Sequence, residues 1–203
     1  VDNVYLYELG EYTKPVNDDA VDVEGNMLLD GTFEDAEAFA SRSKWTIYNG
    51  ASFISYDDDT IDLFMDNGGN GMALISEYST ANIAQEVTIE YGKKYKFGFT
   101  GRIHSKAGSK SGENEITTAI TTGLTVNLRA GGTGVGMEYT DHKQVISSCT
   151  DTNLEVEIDT TENDWSKYQD ANGNITLRVI IVKPTGNSNF AYVDNAYLID
   201  ITE

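Results

Sequence analysis

An all-β chain folded as a two-sheet antiparallel β-sandwich, a jelly roll, is predicted by three observations. Short segments alternate apolar and polar residues with a period of two, so each buries one face and leaves the other free. Turn signals separate these segments at Asn67-Gly68-Gly69-Asn70-Gly71, Asn172-Gly173 and Gly186-Asn187. The 203 residues include 19 glycines and 12 tyrosines but only 2 prolines. That composition suits many strands and turns better than a helical bundle.

The segments follow in order. Tyr95-Lys96-Phe97-Gly98-Phe99 sets three aromatics on one face. Leu124 to Arg129 alternates as cleanly, followed by Ile175 to Val182 and then Phe190 to Asp194. Only Phe33 to Ser43 has the composition of a helical turn or two. Many short strands at regular spacing imply a sandwich or jelly roll.

Domain organisation rests on a repeat. Residues 1–8 read VDNVYLYE and residues 193–200 read VDNAYLID, the same at five of eight positions. Each octet reads as the last strand of a β-sandwich module. Residues 1–9 are then the remnant of a preceding similar module, and the chain is an excised piece of something larger. Residues 10–25, polar and proline-containing, form a linker, and residues 26–203 form the module itself. Alternatively, the first octet pairs as an edge strand on this domain.

Fourteen basic against 33 acidic residues give a formal charge of −19. No basic patch for phosphates can form, so nucleic acid and anionic membrane surfaces are repelled. A polyanionic polysaccharide is disfavoured too; a neutral ligand, or one held locally by a few arginines, is compatible. The single cysteine, Cys149, excludes an internal disulfide and any multi-cysteine metal site. Apolar runs fall well short of the ~18 residues of a membrane-spanning helix.

From Asn26 onward the chain resembles the family 4/9/22 group of carbohydrate-binding modules, a galactose-binding-like β-sandwich. The likeness is carried by Asn26-Met-Leu-Leu-Asp-Gly31-Thr-Phe33-Glu34, Trp45-Thr46, Gln85-Glu-Val87, Tyr91-Gly92-Lys-Lys-Tyr95 and Tyr192-Val-Asp194-Asn-Ala-Tyr-Leu198. It spans about residues 26–200. Such modules occur in tandem in xylanases of gut Bacteroidetes. The resemblance therefore implies a secreted or cell-surface protein and a monomeric, non-catalytic module. It further implies covalent linkage to a catalytic domain and a second module, with a polysaccharide or oligosaccharide as partner: xylan first, β-glucan next. It implies a structural Ca2+ where the first and last strands meet, held by Glu34, Asp194 and main-chain carbonyls near Thr32. Calcium takes six to eight oxygens, for which two carboxylates plus carbonyls are chemically adequate. The alternative is that Glu34 caps a helical stretch and Asp194 makes a turn.

A sugar ring offers an apolar C–H face and a rim of hydroxyls, so its site needs flat aromatic platforms and polar neighbours. By the position of the family's platforms, Tyr78 and Tyr139 are the candidates, although tryptophan is commoner at the first; either is otherwise an ordinary surface or core residue. If Leu124, Val126 and Leu128 face the core, then Asn127 and Arg129 face away; by the same parity so do Arg102 and Arg178. These arginines either serve sugar hydroxyls or a uronic acid branch, or pair with the surplus carboxylates. Trp45 and Trp165 read as core or loop-anchoring residues.

Catalytic patterns are weak. Glu157-Ile-Asp159-Thr-Thr-Glu162 is similar to the active strand of family 16 glycoside hydrolases, which need two carboxylates at close range, but the Trp-Pro lead-in of that family is absent. Asp66 to Glu77 partly matches an EF-hand loop, with Gly68 at a ligand position. His104 and His142 lie far apart with no nucleophile motif. Gly131 to Gly136 precedes no helical pattern. The resulting expectation is a binder, with a structural spacer or adhesion sandwich as the rival and a family-16-like glycosidase as the remote third.

Overall fold

The computed structural model describes residues 23–35, 41–48, 51–56, 61–62, 70–75, 81–104, 111–112, 123–131, 137–139, 146–162, 164–183 and 189–203. The described residues form eleven strands: β1 Thr46–Tyr48, β2 Ala51–Tyr56, β3 Ile61–Asp62, β4 Asn70–Ile75, β5 Asn82–Glu90, β6 Lys94–His104, β7 Thr125–Ala130, β8 Met137–Tyr139, β9 Thr152–Asp159, β10 Asn174–Val182 and β11 Phe190–Asp200. They form two antiparallel sheets. Sheet A has the order β1-β5-β10-β7-β8, and sheet B the order β3-β2-β4-β11-β6-β9. A 3-10 turn, Trp165–Tyr168, precedes β10. The predicted β-sandwich is the observed fold.

Period-two patterning does the sorting. On β10, Ile175, Leu177, Val179 and Ile181 are buried, and Val126, Leu128 and Ala130 join them from β7. Sheet B contributes Tyr95, Phe97 and Phe99 from β6, Leu154, Val156 and Ile158 from β9, and Ala191, Val193 and Leu198 from β11. Both tryptophans are fully buried, as expected. Trp45 lies 5.2 Å from Phe33, centroid to centroid, and its indole N–H donates to the Asp30 carbonyl at 3.0 Å.

The motif residues are architectural. Asn26 Oδ1 accepts the Leu28 and Leu198 amides, both at 3.0 Å, while its side-chain amide donates to the Ala196 carbonyl at 3.1 Å. Gly31 accepts the Ala196 N–H at 2.7 Å. On the other side, buried Gln85 of β5 receives the Leu29 N–H at 2.7 Å and donates to the Leu29 carbonyl at 2.9 Å. Asn26–Gly31 thus joins the last strand of sheet B to a central strand of sheet A. Tyr95 Oη accepts the Glu90 amide at 2.8 Å and ties down the turn that carries the chain from β5 of sheet A to β6 of sheet B, whose Gly92 sits at φ 91°. Tyr192-Val-Asp194-Asn leads into a β-bulge between Asp194 and Tyr197, with Asn195 at φ 50°.

The proposed terminal strand 1–9, most of the linker, the Asn67–Gly69 and Gly186-Asn187 turns and the core of the Phe33–Ser43 stretch lie outside the described residues. The Asn172-Gly173 turn is present, with Gly173 at φ 85°. No helix among the described residues is long and apolar enough to cross a membrane.

Two consequences can be measured. A Cβ on Gly31 would lie 1.9 Å from the Ala196 carbonyl oxygen, so Gly31→Ala must push the opening segment off β11. It is expected to cost ~2–4 kcal/mol in urea unfolding; a loss below ~0.5 kcal/mol would show that this junction is not structural. On β9, Asp159 accepts the Thr161 hydroxyl at 2.6 Å and amide at 2.9 Å and pairs with Lys94 at 3.0 Å. The Thr161 hydroxyl first, then Lys94, hold its pKa down at about 2. Its stabilisation is therefore present above the unfolded value of 3.8 and lost as pH falls through about 2. Allowing for partial solvent screening, Asp159→Asn should cost ~1–2 kcal/mol near neutral pH. The gap from the parent should close as acid is added, and a constant gap would contradict this assignment.

Candidate functional site

The outward face of sheet A is the candidate site, and register defines it row by row. Arg178 on β10 pairs with Glu86 on β5 and with Arg129 on β7, and Arg129 pairs in turn with Glu138 on β8. One row toward the other end, Ala84, Ile180 and Asn127 are aligned. The next row holds Tyr48, Asn82, Val182 and Thr125. Residues opposite one another share a face, so Arg178, Arg129 and Asn127, three of the predicted binding residues, come together.

Tyr48 is the residue that sequence reasoning missed. It is 37% exposed, one of few large hydrophobic side chains so open among the described residues. Its hydroxyl oxygen accepts a hydrogen bond from Arg178 Nη2 at 2.6 Å. The guanidinium carbon lies 5.3 Å from the ring centroid; at that separation the hydrogen bond is the stronger tie. Ala84 and Ile180, which the register places between them, are 1% and 7% exposed. The signal was available, since Ile47 faces the core and parity turns Thr46 and Tyr48 outward.

Arg178 itself is 8% exposed. Its Nη1 is 3.9 Å from Glu86, the limit of an ion pair, and its Nε–H is buried without a hydrogen-bond acceptor. A buried donor left unmade is costly. The arrangement is an aromatic ring braced by a cation, flanked by polar residues, and suited to a flat polar ligand.

The other predicted residues fall elsewhere. Arg102 faces outward by parity as expected, but on sheet B, and so does not join Arg129 and Arg178. It is 2% exposed, donates to Asp151 at 2.6 Å and lies 4.5 Å from the Tyr192 ring centroid. Its pairing with a carboxylate follows the alternative reading of the arginines. Tyr139 occupies the register position opposite Leu128, and Tyr78 lies outside the described residues.

For calcium, Asp194 is a carboxylate only 2% exposed that accepts the Asn195 amide at 2.7 Å. Thr32 and Glu34 follow Gly31, which is bonded to Ala196 two residues beyond Asp194. Nearby, Asp30 Oδ2 is buried with no donor, and burial, with Glu34 and Asp35 adding to it, raises the Asp30 pKa to about 6. Surplus negative charge at the strand junction suits a cation. Among the described residues no three Asp, Glu, His or Cys side chains converge on one point, so main-chain carbonyls such as that of Thr32 would have to complete the shell.

Within the E-x-D-x-x-E pattern the middle carboxyl is not a proton donor. Glu157 is exposed on the outer face of β9 and paired loosely with Lys96 at 3.9 Å. Asp159 is held as a carboxylate, whereas a general acid needs a raised pKa.

No family model matches the sequence, and no curated protein sequence matches it. Solved structures similar in backbone include the second family 16 carbohydrate-binding module, at 15% identity and a TM-score of 0.54, covering 86% of this chain and 99% of that one. An arabinose-bound GH51 α-L-arabinofuranosidase matches at 14% identity and a TM-score of 0.52, over 88% of this chain but 27% of the enzyme. A cyclase from Fischerella sp. TAU, solved with an indolyl butanone, matches at 16% identity and a TM-score of 0.50, over 86% of this chain and 96% of that one. What these likenesses establish is the β-sandwich fold.

Proposed function

We propose that this protein binds a neutral plant cell-wall polysaccharide without cleaving it, xylan before β-glucan, and so holds an attached glycoside hydrolase on its substrate. The observation that carries this reading is Tyr48, an exposed ring on the outer face of sheet A braced by Arg178. One sugar ring would lie against Tyr48, and a further ring of the same polysaccharide, laid across β10, would bring its hydroxyls to Asn127 and Arg129 on β7. Tethering works by raising the local substrate concentration for the linked catalytic domain. A backbone shared with a carbohydrate-binding module supports the reading, as does the repeated octet that points to a second module. The protein acts outside the cell or at its surface, as a monomer within its chain. A bound calcium, held by Glu34, Asp194 and the Thr32 carbonyl, fastens the opening segment to β11.

The rival is a spacer of the same fold, favoured by the burial of Arg178 against Glu86. Affinity electrophoresis through gels of xylan, β-glucan, mannan and pectin separates the two. Retardation in xylan is expected, with Tyr48→Ala weakening it about tenfold, or ~1.4 kcal/mol, at unchanged circular dichroism. Parent protein that migrates alike in every gel is a spacer. For calcium, thermal unfolding with the ion against a chelator should show a stabilisation of ~2–3 kcal/mol at an excess of about a hundredfold over Kd, absent in Glu34→Ala. Superimposable melting curves would remove calcium from the account.

A further inference from the structure

Sheet B bears its own aromatic on the outward side. Tyr197 follows the bulge on β11 and pairs with Gly98 on β6, and Gly98 pairs with Glu155 on β9. The Tyr197 hydroxyl donates to Glu155 Oε1 at 2.5 Å, so the side chain runs across β6 rather than away from the sheet. Gly98 permits this, because a Cβ there would lie 2.5 Å from the Tyr197 Cζ and hydroxyl oxygen. A ring pinned at its far end and laid over a glycine has little rotamer freedom left to lose on binding.

A cavity of about 130 Å³ opens beside it, well below the ~300–1,000 Å³ of sites for drug-sized ligands and of the order of one monosaccharide. Its lining includes Tyr197, Thr100, Asn153, Glu155, Asn195 and Val23. The Thr100 hydroxyl donates to Asn153 Oδ1 at 2.9 Å, which leaves the exposed Asn153 amide nitrogen to donate outward. Glu155 Oε2 lies 3.6 Å from Lys96, so an acceptor and a cation flank the ring. The Tyr197 bond, its largest influence, lowers the Glu155 pKa; the group stays a carboxylate, accepts from sugar hydroxyls and repels anionic ligands.

We infer that the outer face of sheet B holds a second saccharide site, with Tyr197 as platform and Asn153 and Glu155 as hydroxyl partners, that takes one ring of a neutral oligosaccharide. It is separate from the Tyr48 face, and one chain would therefore engage two strands of polysaccharide, or one strand twice, with avidity.

Amide chemical shifts of the full chain, titrated with xylohexaose, cellohexaose and mannohexaose, test this. With at least one sugar, Gly98, Thr100, Asn153, Glu155 and Asn195 should move and saturate together. Tyr197→Ala and Asn153→Ala should each weaken that set about tenfold, and Tyr48→Ala should leave it unchanged. Asn153 is exposed, so its variant tests the site even if loss of Tyr197 unfolds the strand. If the sheet A amides of Glu86, Asn127 and Arg129 respond while the Tyr197 set stays still, this inference alone fails. If neither set moves with any of the sugars, both sites fail. A response at the Tyr197 set that Tyr48→Ala abolishes would reduce it to an extension of the first site.

Discussion

The sandwich depends on one short segment that belongs to neither sheet. Asn26–Gly31 is bonded along β11 through the Asn26 side chain and the Gly31 carbonyl, and across to β5 through Gln85. The apolar contacts between two sheets packed face to face are non-directional. Directional hydrogen bonds from both sheets to one segment fix how one sheet sits over the other. That setting fixes how the two inner faces meet, while register within each sheet decides which outward residues stand side by side. The approach is close enough that only glycine fits at position 31.

The residues that make the sequence look like a carbohydrate-binding module turn out to be this framework. Asn26, Gly31, Gln85, Tyr95 and Asp194 each satisfy a backbone group at a junction, a sheet-to-sheet turn or a bulge. Buried polar groups must be paired, so such positions tolerate few residue types and leave a readable pattern. A sugar platform has no equivalent constraint, because any flat ring at the right place on a sheet will serve. The resemblance is consequently carried by architecture: Tyr48 lies outside the segments that make it, and Tyr197 falls within the closing one as the residue between Ala196 and Leu198.

Parity explains what else was legible. Alternation correctly turned Asn127, Arg129, Arg178 and Arg102 away from the core, yet it assigns a face and not a sheet. Arg102 is on β6, and the pairing β11-β6-β9 puts β6 in sheet B; only non-local strand order reveals that, and strand order is not written in any local period. Arg129 and Arg178 sit opposite one another although 49 positions apart, because β7 and β10 are neighbours. Tyr197 poses a further difficulty: the bulge at Asp194 shifts the register by an extra residue, and simple alternation from Tyr192 would have sent it inward.

The same fold houses binders and enzymes, as the structures similar in backbone show, so chemistry has to be decided by the state of the side chains. Hydrolysis of a glycoside requires a carboxyl group that keeps its proton near neutral pH. On β9 the protein does the reverse. Asp159 is held down by Thr161 and Lys94, and Glu155 by Tyr197. Each hydrogen bond that fixes a carboxylate as an acceptor also removes it as an acid. On the outward face of β9, then, Glu155 and Asp159 are fixed as acceptors, the first beside a pinned aromatic ring.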